Sequence, residues 1–187
     1  PQLTFEEAME VTKIHSIAGC LDPARGIVDV RPFRSPHHTA SAPALTGGGA
    51  KARPGEVSLA HNGVLFLDEF PEYSRVALEA LRQPLEDGVV TVSRVSNTVT
   101  YPARFMLIAS MNPCPCGYYG SKIKQCKCSP AQIQRYLGRV SGPLVDRIDL
   151  QIETDAVPYD SLRGQGSPEE SSAEVRRRVQ QARLIQQ

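Results

Sequence analysis

The sequence predicts an α/β fold with a mostly parallel sheet, and two stretches carry that expectation. In residues 63–70, Val64, Leu65, Phe66 and Leu67 run without interruption into Asp68 and Glu69. A short apolar run bounded by turn residues reads as a buried strand of a parallel sheet. Residues 104–110 repeat the pattern: Phe105, Met106, Leu107, Ile108 and Ala109 lead to Ser110 and then Asn112. Ligands of parallel sheets gather at the carboxyl ends of the strands, where both polar sets fall.

Composition bounds the rest. A chain of 187 residues with 41% apolar content supports one core, or one core and a short appendage. The net charge of +1 confines any nucleic-acid contact to a local patch. No apolar run reaches membrane-spanning length and no signal peptide is present, so the expected setting is cytoplasmic, away from membranes. The sequence opens on Pro1 and reads as a piece of a longer protein. Five cysteines, four of them clustered, suggest metal or free thiols in a reducing compartment rather than a disulfide framework.

Each element follows from local chemistry. Residues 4–17 have a helical pattern with Thr4 as N-cap, Glu6 and Glu7 in the first turn, and Gly19 to stop it. Residues 26–30 predict a short strand. Pro32 and Pro36 then rule out a long helix, and adjacent His37 and His38 are expected to diverge rather than share a metal. Gly47, Gly48 and Gly49 predict a hinge. Residues 49–52 lack phosphate-loop spacing, so Lys51 and Arg53 belong to an exposed basic loop. Ser74 caps a helix that Gly88 ends and whose last turn Pro84 breaks.

Residues 89–95 and 98–101 are β-branched and alternating, a hairpin with Arg94 near its tip. Such a hairpin either touches a polymer or decorates the surface. Residues 130–140 predict a short helix carrying Arg135 and Arg139, and residues 148–152 an alternating strand. Arg147, at that strand's entrance, pairs with Asp146 or Asp149 or reaches a nucleotide on a neighbouring subunit; a guanidinium fork suits phosphate. The domain reading is a core over 1–153 with a Cys-rich knuckle at 112–130, a linker over 154–168, and a charged helix over 169–187. Arg176, Arg177 and Arg178 lie on that helix's solvated face.

Three sets of residues carry chemistry. Adjacent carboxylates at a strand end suit phosphate chemistry, with Asp68 holding Mg2+ and Glu69 polarising a water; a strand followed by a solvated acidic turn is the alternative. Asn112, just past the neighbouring strand, orients that water, senses a terminal phosphate, or merely stabilises a turn. Cys114-Pro115-Cys116 and Cys126-Lys127-Cys128 supply four thiolates, the number a structural Zn2+ takes, although two Cys-x-Cys pairs are an unorthodox spacing. The intervening polar loop has no core of its own, so metal would tie it down; reduced loop cysteines are the alternative. Cys20 stands apart and reads as a small buried side chain.

Several stretches together resemble the magnesium-chelatase-like AAA+ ATPases of bacteria, the ComM/YifB competence-protein family. They are Arg31-Pro-Phe-Arg-Ser-Pro-His-His38, Leu45-Thr-Gly-Gly-Gly49, the run from Pro54 to Glu69, Tyr101-Pro-Ala-Arg-Phe105, Met111-Asn-Pro113 and the run from Ser141 to Leu150. The resemblance implies a partial αβα core of the P-loop NTPase type with hairpin insertions. It implies Asp68 as the Walker B magnesium ligand, Glu69 as catalytic base, Asn112 as sensor and Arg147 as an arginine finger acting in trans. It also implies ATP and Mg2+ as ligands and a hexameric ring of identical subunits. The loops around 45–54 and 91–100, with Lys51, Arg53 and Arg94, would face DNA in a central pore. The implied work is helicase or branch-migration activity in natural transformation and recombination. Two alternatives stand beside it: a magnesium chelatase subunit remodelling a porphyrin-metallating partner, and a non-enzymatic zinc-stabilised nucleic-acid-binding module. The Walker A motif is expected upstream of Pro1 and the lid helices beyond Gln187, so the isolated chain is expected not to turn over ATP.

Overall fold

A computed structural model describes residues 2–24, 26–49, 51–94, 97–154 and 170–186, with Arg94 and Asn97 described by backbone alone. The chain divides into two compact units, Leu3–Gln151 and Pro1–Gln2 with Ile152–Gln187. The predicted linker lies, beyond residue 154, outside the described residues. In the second unit Ser172–Gln186 is helical, with Arg176, Arg177 and Arg178 exposed as predicted.

The first unit opens with α1 (Phe5–Ala18), closed at its start by a capping box between Thr4 and Glu7 and at its end by left-handed Gly19. β1 (Phe33–Arg34) follows, then α2 (Ala42–Thr46), the hairpin β2 (Gly47–Gly48) and β3 (Arg53–Pro54), and α3 (Glu56–Leu59). β4 (Val64–Leu67) is the central strand. After a 3-10 turn at Phe70–Glu72 come α4 (Arg75–Glu79), α5 (Arg82–Asp87) and the hairpin β5 (Val89–Arg94) and β6 (Asn97–Pro102). β7 (Met106–Ala109), α6 (Pro130–Leu137) and α7 (Gly142–Val145) complete the unit.

Among the described residues the sheet is three-stranded and parallel, ordered β1-β4-β7, with Leu65 opposite Leu107 and Leu67 opposite Ala109. Gly63 permits β1 and β4 to meet: a Cβ there would stand 2.1 Å from the Pro32 carbonyl oxygen. Leu65 and Leu67 point into a core with Leu45, Val57, Phe70, Leu78, Leu81 and Leu144. The opposite face carries Phe33, Val64, Phe66, Met106 and Ile108. Met106 is 63% exposed, and the Phe33 and Phe66 rings stack at 6.1 Å.

Six expectations change. Cys20, expected as a small buried side chain, is exposed. β4 is buried on one face rather than two, and of β7 only Leu107 is partly buried, because among the described residues only one face of the sheet meets the core. The helix expected over 74–88 breaks at Ala80 and Leu81, earlier than Pro84: a proline ring collides with the carbonyl four residues back, here Ala80, so Pro84 sits in the first turn of a new helix. Residues 26–30 form no strand, and Val30 is 66% exposed. Residues 148–152 form none either; a strand exists through its ladder, and among the described residues none is paired with it. His37 and His38 do not diverge: a turn closed by Ala40 N–H on the His37 carbonyl (2.9 Å) brings their rings to 4.1 Å.

Candidate functional site

The parallel pairing of β4 and β7 sends their polar ends out of the same edge. The ladder runs one step beyond the strands: Ser110 N–H donates to the Leu67 carbonyl (3.0 Å) and Phe70 N–H to the Ser110 carbonyl (2.9 Å). Asp68 and Ser110 therefore sit side by side. The Ser110 hydroxyl donates to Asp68 Oδ1, and Glu69 N–H donates to the same oxygen at 2.9 Å. The two donors, Ser110 first, hold the Asp68 carboxyl below the usual range. A carboxylate that takes both donors on one oxygen can offer the other to a hard cation, so Asp68 fits the Mg2+ role.

Glu69 adopts the left-handed conformation (φ 51°, ψ 45°), which a side chain seldom takes without compensation. It turns the carboxylate out of the sheet to half-exposure, where Oε2 lies 2.8 Å from His38 Nδ1. A carboxylate only accepts, so Nδ1 carries the hydrogen. The loop bearing His38 is tied down by Tyr73, whose hydroxyl donates to the Pro36 carbonyl at 2.5 Å. His38 and Ser110 are the members of this cluster that sequence reasoning missed. The signal available was positional: both sit just past a strand end that flanks β4.

Asn112 lies two residues past Ser110, exposed, its backbone amide beside the Tyr136 hydroxyl. Arg147 lies elsewhere: its Nε (2.9 Å) and Nη2 donate to Glu86 Oε1 of α5, rather than to Asp146 or Asp149. Lys51 and Arg53 are exposed on the β2–β3 hairpin, whose turn rests on the longer hairpin through the Tyr101 hydroxyl and the Ala52 carbonyl (2.8 Å). Arg94 ends β5, and its side chain lies outside the described residues.

The four cysteines converge. All are free thiols, and their sulfurs lie within 4.8 Å of one another, with Cys114 to Cys116, Cys116 to Cys126 and Cys114 to Cys126 at 3.4, 3.6 and 3.7 Å. Tetrahedral Zn–S bonds of about 2.3 Å place sulfurs about 3.8 Å apart, so the donor set fits zinc. Backbone N–H groups aim at the sulfurs: Tyr119 and Cys116 at Cys114, Lys127 and Tyr118 at Cys116. Those to Cys116 pull its thiol down to about 6, while desolvation pushes Cys128 up to about 12. Four clustered thiols cannot all ionise without a cation to neutralise them. Among the described residues no helix is long and apolar enough to cross a membrane.

With this geometry in place, similarity to known proteins is informative. The family model described as magnesium chelatase, subunit ChlI, matches residues 1–162. The chain is 54% identical over 156 residues to the competence protein ComM of Haemophilus influenzae, covering 83% of this chain and 30% of that protein. It is 50% identical over 183 residues to the uncharacterized protein YifB of Escherichia coli, covering 98% of this chain and 36% of that one. The chloroplastic magnesium-chelatase subunit ChlI of Oryza sativa is 36% identical over 70 residues, 37% of this chain and 17% of that protein. The chain thus spans about a third of the ComM and YifB relatives. An α/β core with parallel strands, matched by the family model over most of its length, establishes that the chain belongs to the magnesium-chelatase-like ComM/YifB family.

Proposed function

We propose that this chain carries part of the hydrolytic centre of an ATP-driven AAA+ motor, a homo-oligomeric, hexameric ring acting on DNA in the bacterial cytoplasm during natural transformation and recombination. The observation behind this reading is the shared edge of β4 and β7, which gathers Asp68, Glu69 and Ser110, with Asn112 two residues further along the chain. When bound through Asp68, Mg2+ supplies charge neutralisation on the phosphates. Ser110 and the Glu69 amide keep Asp68 ionised for that task. Glu69 takes a proton from water as the water oxygen bonds to the γ-phosphorus and the bond to the bridging oxygen breaks, leaving ADP with the electron pair. Its backbone turns the carboxylate away from the sheet, and His38 fixes its direction. Asn112 hydrogen-bonds the attacking water or the γ-phosphate. Arg147 serves the site of an adjacent subunit once released from Glu86. Lys51, Arg53 and Arg94 meet DNA phosphates, and the four cysteines hold one structural Zn2+.

The test is ATP hydrolysis by the full-length protein with and without DNA. Turnover stimulated by DNA and lost in Glu69→Gln supports the reading. Absence of turnover in the full-length protein refutes it. Stimulation by a porphyrin-binding partner and not by DNA would move the assignment to the chelatase motors.

A further inference from the structure

We infer that the four-cysteine knuckle is a positioning device for Asn112, so that loss of its metal frees the sensor side chain. The inference rests on the proposed ATPase reaction and assigns the knuckle a part in it.

Asn112 stands where the β7 ladder has ended, and strand pairing no longer fixes it. Three restraints replace the ladder. Its backbone amide lies beside the hydroxyl of Tyr136, a buried residue of α6. Its side-chain amide lies over Gly117: a Cβ there would stand 3.8 Å from Asn112 Oδ1, and the φ of +80° favours glycine. Two residues on, Cys114 is fully buried with its sulfur among the other three. Each restraint touches the knuckle or its packing partner. Tyr136 also lies 6.0 Å beneath the Arg139 guanidinium, which bonds Glu72 Oε2 (2.6 Å) and the Pro71 carbonyl (3.3 Å) in the turn after Glu69. The knuckle is thereby joined to both sides of the site.

Among the described residues, Cys114 is the buried side chain of the knuckle and little else in it is covered. Tyr119 and Ile123 are 56% and 74% exposed, and the sulfurs are where the loop converges. A loop without a core keeps its shape through a cross-link, and its order depends on the metal. Cys126 and Cys128 meet residues 110–117 through the sulfur cluster, so changing them leaves the sequence of that segment intact while removing two ligands.

The experiment uses full-length protein with Cys126→Ser and Cys128→Ser combined. Zinc content, amide hydrogen exchange over residues 110–119, and kcat and KM for ATP are measured. The expected results are loss of zinc, exchange in that segment faster by about tenfold or more, and a fall in kcat of about tenfold with KM within about twofold. Adding Asn112→Ala should cost no more than about twofold further, since both changes remove one function. Cys128→His, which keeps a ligand, should restore much of the protection and rate. Absence of zinc from the wild type, unchanged exchange after zinc loss, or losses that multiply with Asn112→Ala would each overturn the inference. If the wild type does not hydrolyse ATP, the ATPase reading fails, while the exchange measurement still decides whether metal holds Asn112.

Discussion

The two ends of β4 each carry a histidine paired with a glutamate, and they are built in opposite ways. At the amino end His61 is 2% exposed. Its Nδ1 accepts the Arg104 N–H (3.0 Å), so Nε2 carries the hydrogen and donates to Glu10 Oε2 (3.0 Å). Asn62 Nδ2 reaches the same carboxylate at 3.1 Å, and Asn62 N–H donates to the Arg104 carbonyl at 2.7 Å. Both ring nitrogens are used, and α1, β4 and the approach to β7 are stitched together. At the carboxyl end His38 and Glu69 are 29% and 52% exposed, and Glu69 sits on a strained backbone. The glutamates are about equally open, so the difference lies in the histidine: buried with both ring nitrogens bonded it makes a fastening, and part-exposed it leaves a surface group.

That contrast assigns different consequences to substitutions at the two ends. The largest is expected at Glu69: Glu69→Gln should lower kcat by at least about a hundredfold, about 2.7 kcal/mol of barrier, while urea unfolding shifts by less than about 0.5 kcal/mol. At the other end His61→Ala should destabilise by about 2–3 kcal/mol, since it leaves the part-buried Arg104 amide unpaired and a hole behind. Its kcat, normalised to folded protein, should hold; a rate loss without a stability loss would reverse the assignment of the two ends. His38→Ala should lower kcat about 3–10-fold with little change in the unfolding midpoint.

The smallest effect concerns acid. His61, ahead of Asn62, holds the Glu10 carboxyl below its ordinary 4.5. A depressed carboxyl contributes stability that is present above that ordinary value and lost as pH falls through the lower folded one. Glu10 is largely exposed, so the contribution is below about 1 kcal/mol. Glu10→Gln should therefore unfold more easily than wild type at pH 7, and the gap should close in acid.

Much of the carboxyl end was legible in the sequence. An apolar run into Asp68 and Glu69, and a second into Ser110 and Asn112, specify strands by pattern, and the adjacent acids mark their own chemistry. His38 was not legible, because its contact with Glu69 depends on β1 lying parallel to β4, a pairing of two residues beside Pro32 and Pro36. The His61 network was hidden for a similar reason: Glu10, His61 and Arg104 are distant in sequence and meet only through the sheet. Residues 148–152 misled because alternation describes a face and says nothing about a neighbouring strand. Pro84 pointed to a helix break but not to its site, which the ring sets four residues earlier.

The left-handed backbone at Glu69 sets the fold and the proposed reaction at odds. Glycine is the residue that this conformation accommodates most cheaply, and it would relieve about 1 kcal/mol of strain. Glycine also has no carboxylate to offer a water molecule. Selection for robustness alone would therefore erode this position, and a library ranked only by thermal resistance should enrich variants that have quietly lost their chemistry.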